Sequence, residues 1–225
     1  MPVALIRFVT LLALAFIAGT ADSSRLTAPP PPPTAIAPGP DALFSDSFSG
    51  DLSRWHPDRP GVWEVWHGML RADLPDQRQL RSLIWAGDPS WRDVALDFDV
   101  CAMRGVDKGA VVRGAGDLGV GVDLRGGAYQ DVVAYVRERR IGRATVLNPD
   151  AAWNHVRIET HGARLRVWVN GQLEIDRPQT HAARGRVALA AYTGGVGQCT
   201  IYFDNVVVRP FGSTPDRSVR QASAH

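Results

Sequence analysis

Lysine and glutamate are nearly missing from this sequence, and no stretch keeps a helical period. Lys108 is the only lysine among 25 basic residues, and glutamate occurs only at Glu64, Glu138, Glu159 and Glu174. The formal net charge is +2, which gives no global field to draw in nucleic acid or an acidic membrane. Arginine pairs with carboxylates and stacks on flat faces, but so complete an excess over lysine is a mark of genome composition. The six histidines show no His-x-x-x-His spacing and no nearby cysteine pair, so a zinc site has nothing to rest on. No Gly-x-Ser-x-Gly nucleophile elbow occurs. Gly114 to Gly119 satisfies G-x-G-x-x-G, but phosphate binding by that motif needs a helix directly after it. The next residues are Val120-Gly121-Val122-Asp123, a strand pattern, so the glycines make a β-turn.

Residues Met1 to Ala21 read as a signal peptide. Arg7 supplies the positive end, Phe8 to Ala18 the apolar run and Gly19-Thr20-Ala21 a small-residue cleavage site. The run is shorter than the ~20 residues that span a bilayer. Cleaved, it leaves no membrane span and a secreted, periplasmic or extracellular chain; retained, it is an anchor. Residues 22–42 form a proline-rich linker whose run Pro29 to Pro33 favours a stiff polyproline spacer. Residues 212–225 are polar and aperiodic and read as a disordered tail. Apolar residues make up 45 % of the chain, which excludes wholesale disorder. Residues 43–211 therefore form one well-buried domain. Cys101 and Cys199 enter an oxidising compartment where a bridge is permitted. Strand parity sets them on opposite faces, so the pairing stays open.

Within 43–211, short alternating runs separated by Gly, Asp, Asn and Pro recur about every 8–12 residues. Fourteen such runs predict an all-β, two-sheet antiparallel sandwich. The clearest hairpin is Trp153 to Asn170. A two-residue turn at His161-Gly162 pairs Val156 with Val167 and Ile158 with Leu165 on an apolar face. The opposite face then pairs His155 with Trp168, Arg157 with Arg166 and Glu159 with Arg164. A two-residue turn at Asn170-Gly171 would set Leu173 beside Trp168 on that same outer face.

Several segments carry a family resemblance. Leu43-Phe44-Ser45-Asp46-Ser47-Phe48-Ser49-Gly50, Trp55, Trp63-Glu64-Val65 and Gly68-Met69-Leu70 resemble the entry to laminin-G-like and concanavalin A-like domains. Trp153 to Ile158, Val167 to Gly171 and Tyr202 to Val208 extend the likeness. Together they are similar to the bacterial 3-keto-disaccharide hydrolase domain and to sugar-binding jelly rolls. The resemblance implies a concanavalin A-like jelly roll and specifies the fold far better than the activity. It also marks departures. The family's polar residues on the strand facing its cleft are replaced here by Gly119 and Gly121, leaving Asp123 as the one side chain there able to do chemistry. The Glu-x-Asp-x-x-Glu signature of related glucanases is absent, and Asp97 and Asp99 read as a solvated edge.

The expected function is accordingly a non-catalytic carbohydrate-binding module for a polysaccharide or glycan. The alternatives are a glycoside hydrolase of the 3-keto-disaccharide type and an extracellular adhesion domain with a protein partner. Sugars bind on flat aromatic faces with polar groups beside them. Trp63 and Trp153 occupy core-like positions, and Trp55, Trp85 and Trp91 flank loops. Trp168, with His155, Arg157 and Arg166, makes the expected sugar platform. Related sandwiches hold a structural calcium where first and last strands meet, which implies Asp204 and Asp46 as its ligands.

Overall fold

The computed structural model describes residues 28–35, 37–116 and 118–213. The expected signal peptide and most of the expected tail lie outside them. All fourteen expected strands form, and two antiparallel sheets pack face to face. The first sheet runs in the order β13 (Gln172–Pro178), β12 (Arg164–Val169), β11 (Trp153–His161), β6 (Val94–Arg104), β15 (Cys199–Pro210), β4 (Met69–Leu74), β3 (Trp63–Trp66), with β1 (Phe44–Asp46) also on β15. The second runs β10 (Arg139–Thr145), β9 (Asp131–Val136), β8 (Leu118–Arg125), β7 (Asp107–Ala115), β14 (Arg186–Tyr192), β5 (Arg81–Ala86), β2 (His56–Pro57). The short β2 gives no sequence signal because two residues carry no alternation.

Alternation does the rest. Leu96, Phe98 and Val100 of β6 join Val120, Val122 and Leu124 of β8 and their neighbours in one apolar core. Phe203 lies with its ring centre 6.1 Å from those of Trp63 and of Phe98. Fully burying each such side chain contributes about 1.5–3 kcal/mol. Cys199 belongs to this core, whereas Cys101 sits on the other face of its sheet between Trp153 and Tyr202, and neither is bridged.

The β11–β12 register differs from the expected one by two residues. His161 pairs with Arg164, so Gly162 and Ala163 make the turn. Gly162, at φ +52°, occupies the first central position, where a hairpin turn of this kind calls for glycine. A shift of two preserves the faces: Ile158 now meets Val167, and Arg157 meets Trp168. The next turn is the expected Asn170-Gly171 pair, both at positive φ, and it does place Leu173 beside Trp168. An irregularity between Val167 and Trp168 then restores Ile175 to the core opposite Val167.

The proline segment, expected to stand the domain off, lies against it. Trp153 Nε1 donates to Pro30 O at 2.7 Å, and Asn205 Nδ2 to Pro33 O at 2.9 Å. Pro30 and Pro33 are one polyproline turn apart, so their carbonyls face the same way. Arg209 extends the seam to Pro38 O at 2.9 Å and Ala37 O at 3.3 Å, and Pro29 is buried. Trp153 is thus a half-buried residue of the outer face and not a core tryptophan.

Candidate functional site

Two outer sheet faces compete for a functional reading, and the sequence favours the first sheet. There the structure does gather His155, Arg157, Arg166 and Trp168 on one face. The polar groups of His155 and Arg157, however, are engaged by protein partners, while Arg166 Nε is buried without a hydrogen bond. His155 Nδ1 lies 2.8 Å from Asp99 Oδ1, and Nε2 lies 3.3 Å from Asp97 Oδ1. Arg157 donates to Asp97 Oδ2 at 2.8 Å and to Glu159 Oε1 at 2.6 Å. The buried Arg209 adds a third cation at 2.9 Å from Asp97 Oδ2. Arg166 faces Asp176 at 3.4 Å. Asp97 and Asp99 are therefore buried and ion-paired rather than a solvated edge. Burial opposes charge on Asp97, but His155, Arg157 and Arg209 hold its carboxyl below the usual range. Burial likewise opposes the imidazolium of His155, yet hydrogen bonds to Asp97 and Asp99 push its pKa up to about 9.

At the end of that face, Asp46 and Asp204 come near enough to repel each other. Burial first, then Asp99 and Asp46, raise the Asp204 pKa to about 6. Asp46 already accepts from Phe48 N at 2.8 Å through Oδ1, and from Trp55 Nε1 at 2.9 Å and Arg54 at 3.2 Å through Oδ2. Among the described residues no three or more His, Cys, Asp or Glu side chains gather to hold a metal.

The outer face of the second sheet is built otherwise. Three cross-strand rows define it. One runs Arg81, Tyr192, Asp107, Arg125, Asp131, the next Leu83, Ala190, Gly109, Asp123, Val133, and the third Trp85, Ala188, Val111, Gly121, Tyr135. The middle of each later row is small, so the face sinks into an open cleft of about 840 Å³. Gly121 is needed for this shape: a Cβ there would sit 2.4 Å from the ring of Tyr135, which lies over it. The glycines that the sequence reading takes as a loss of chemistry instead make room for an aromatic wall. Trp85 and Tyr192 line the same space, with Arg137, Glu138 and Arg140 at the β9–β10 end.

Two carboxyl groups sit in this cleft. Asp123 accepts from the Tyr135 hydroxyl at 3.1 Å, and desolvation raises its pKa against the pull of Arg81, Tyr135 and Arg125. Asp107 is only 8 % exposed, and burial followed by the charge of Asp123 pushes its pKa up to about 7. Its Oδ1 is buried without a hydrogen-bond partner. Its neighbour Arg125 is held elsewhere, in a two-pronged pair with Asp131 at 2.7 Å on both arms. Of these residues the sequence singles out only Asp123, on its strand, and Trp85, beside a loop. A usable signal for the rest existed: small residues at outward positions of three strands, Gly109, Gly121 and Ala190, flanked by outward aromatics.

Residues 39–209 match the 3-keto-alpha-glucoside-1,2-lyase-like domain family. The chain belongs to that family. Solved structures similar to this 3-keto-alpha-glucoside-1,2-lyase-like domain fix the fold as a concanavalin A-like jelly roll. One is the carbohydrate-binding module CBM66 from Bacillus subtilis, with TM-score 0.60 and 16 % identity, covering 69 % of this chain and 95 % of the other. A second is a Bacillus subtilis protein of unknown function with a galectin-like fold, with TM-score 0.62 and 9 % identity over 78 % of this chain and 98 % of the other. A third is a putative glycosyl hydrolase from Parabacteroides distasonis, with TM-score 0.53 and 20 % identity over 73 % and 98 %. An extracellular exo-alpha-L-arabinofuranosidase of Streptomyces chartreusis is 35 % identical over 78 residues. That stretch spans 34 % of this chain and 9 % of the relative. The domain is thus a jelly roll of the 3-keto-alpha-glucoside-1,2-lyase-like family. No helix among the described residues is long and apolar enough to cross a membrane.

Proposed function

We propose that this chain is an exported saccharide-binding domain whose ligand lies in the cleft of the second sheet. The observation that carries the reading is the cleft itself: Trp85, Tyr135 and Tyr192 supply flat apolar surface, and Asp107 and Asp123 supply acceptors between them. Sugar rings are recognised by this combination, an aromatic wall for the C–H face and buried polar atoms for the hydroxyls. Export is supported by the pattern of residues 1–21 and by the extracellular relative. The experiment is a glycan screen of the purified protein with titration of the hits. Saturable binding is expected, and failure to bind any saccharide across a broad panel would overturn the proposal.

A second reading, glycoside cleavage, is favoured by one observation. Asp107 is a buried carboxyl with a pKa of about 7 beside a second carboxyl, and a general acid needs a proton at neutral pH. Released sugar from the glycans that bind, lost in Asp107→Asn, would select this reading over binding alone. Intact glycans after prolonged incubation would select binding.

A further inference from the structure

The buried, unpartnered Oδ1 of Asp107 has a consequence for what the cleft accepts. A buried acceptor without a donor costs about 1–3 kcal/mol, and native structures rarely leave one without cause. The cations next to it across the strand pair and along the chain are engaged elsewhere. Arg125 on β8 is taken by Asp131 on β9, which also receives Arg143. Lys108, next on the same strand, points to the other side of the sheet and donates to Asn148 Oδ1 at 2.7 Å. Tyr192 on β14 and Tyr135 on β9 also lie within its field, as do Asp123 on β8 and Cys199 on β15. Of these, Asp123 and Asp131 are like charges.

We propose that Asp107 is the specificity-determining group of the cleft, accepting a hydroxyl from a neutral saccharide and excluding one that presents a carboxylate at that place. This rests on the cleft being the saccharide site. The chemistry is direct. A sugar hydroxyl is the donor that Oδ1 lacks, and it brings no charge. A uronate or sialate carboxylate would instead be desolvated beside Asp107 and Asp123, two groups that already resist ionising together. Of the cleft's other cations, Arg81 already acts on Asp123, Arg125 is taken by Asp131, and Arg137 and Arg140 at the mouth are exposed, where salt screens any counter-attraction. Because the accepting form is the carboxylate, affinity is greatest above the Asp107 pKa and falls as the pH drops through about 7.

The test compares a neutral oligosaccharide hit with its uronate-bearing counterpart, by calorimetry at about pH 8 and about pH 6, for the wild type and for Asp107→Asn. Asparagine keeps the volume and removes the charge, and a melting curve for each protein checks the fold. For the wild type the proposal expects at least tenfold preference for the neutral ligand and about tenfold weaker binding at the lower pH, as the ionised fraction falls. For Asp107→Asn it expects at least about tenfold weaker binding of the neutral ligand and a flat pH profile. Equal affinity for both ligands, or an Asp107→Asn protein that binds as the wild type does, would overturn the assignment to Asp107 while leaving the cleft in place. A wild type that binds no saccharide at either pH would overturn the cleft reading and this inference with it.

Discussion

On the outer face of the first sheet, Asp97 meets His155, Arg157 and Arg209, and Asn205 bridges Asp99 to the proline segment. On the outer face of the second sheet, Asp107 keeps an oxygen without a partner, and Asp123 has only the Tyr135 hydroxyl. Both faces carry acidic, arginine and aromatic residues. What separates them is whether the central buried carboxylates find partners: Asp97 and Asp99 do, and Asp107 does not. A satisfied network rigidifies and holds a segment of chain; an unsatisfied one in a cleft is a place for a ligand. Residue type alone would rank the first face higher, since it holds more charges.

The comparison can be broken most sharply at Arg209. Arg209→Ala removes one of the cations from Asp97 and two bonds to the proline segment. Breaking a buried pair in this way costs about 3–5 kcal/mol, and denaturant unfolding should register it with no change in glycan affinity in the folded protein. A loss under about 1 kcal/mol would show that this face is not the structural one.

Two pH windows separate the faces next. His155 has a folded pKa of about 9, above its ordinary 6.5, so its ion pairs stabilise fully below 6.5 and are lost as the pH rises through 9. Asp107 has a folded pKa of about 7, above its ordinary 3.8, so the native state holds a proton that the unfolded chain releases. Stability therefore declines from about pH 4 to pH 7 on that account, with Asp204, at about 6, adding to the lower part. Asp107→Asn should flatten the acidic window and His155→Ala the alkaline one, each leaving the other in place. A stability curve that rises between pH 4 and pH 9 would contradict both assignments.

Trp168→Ala is a smaller perturbation. The ring is half-buried between Arg157 and the exposed Leu173, so a loss of about 1 kcal/mol is expected with glycan binding unchanged. The smallest effect belongs to EDTA. With both oxygens of Asp46 engaged, chelation should leave the melting temperature where it was. A drop accompanied by measured calcium would return Asp46 and Asp204 to the role that the resemblance implies.

The fold was legible because it rests on period-two alternation, which survives small errors. The β11–β12 register was off by two, yet Val156, Ile158, Leu165 and Val167 still fell on the core face. Of the candidate site's side chains only Asp123 and Trp85 were legible. Its other members converge from β5, β7, β8, β9 and β14, and nothing in the linear order says that Arg81, Tyr192, Asp107 and Arg125 share a row. Trp168 drew attention by local spacing on one hairpin, while the partners that engage its polar neighbours, Asp97, Asp99 and Arg209, come from β6 and β15. The docking of Pro29 to Pro38 was hidden for the same reason: proline composition predicts conformation and not what receives its carbonyls.

The central claim is that the saccharide binds the second sheet, and paired substitution of one tryptophan from each face tests it. Trp85 lies in the cleft, close over Gly114, and Trp168 lies on the other sheet. With the same glycan and folded protein in both cases, Trp85→Ala should weaken binding by about 2 kcal/mol or more, and Trp168→Ala should leave the affinity unchanged. The reverse order, Trp168→Ala abolishing binding while Trp85→Ala does not, would contradict the account.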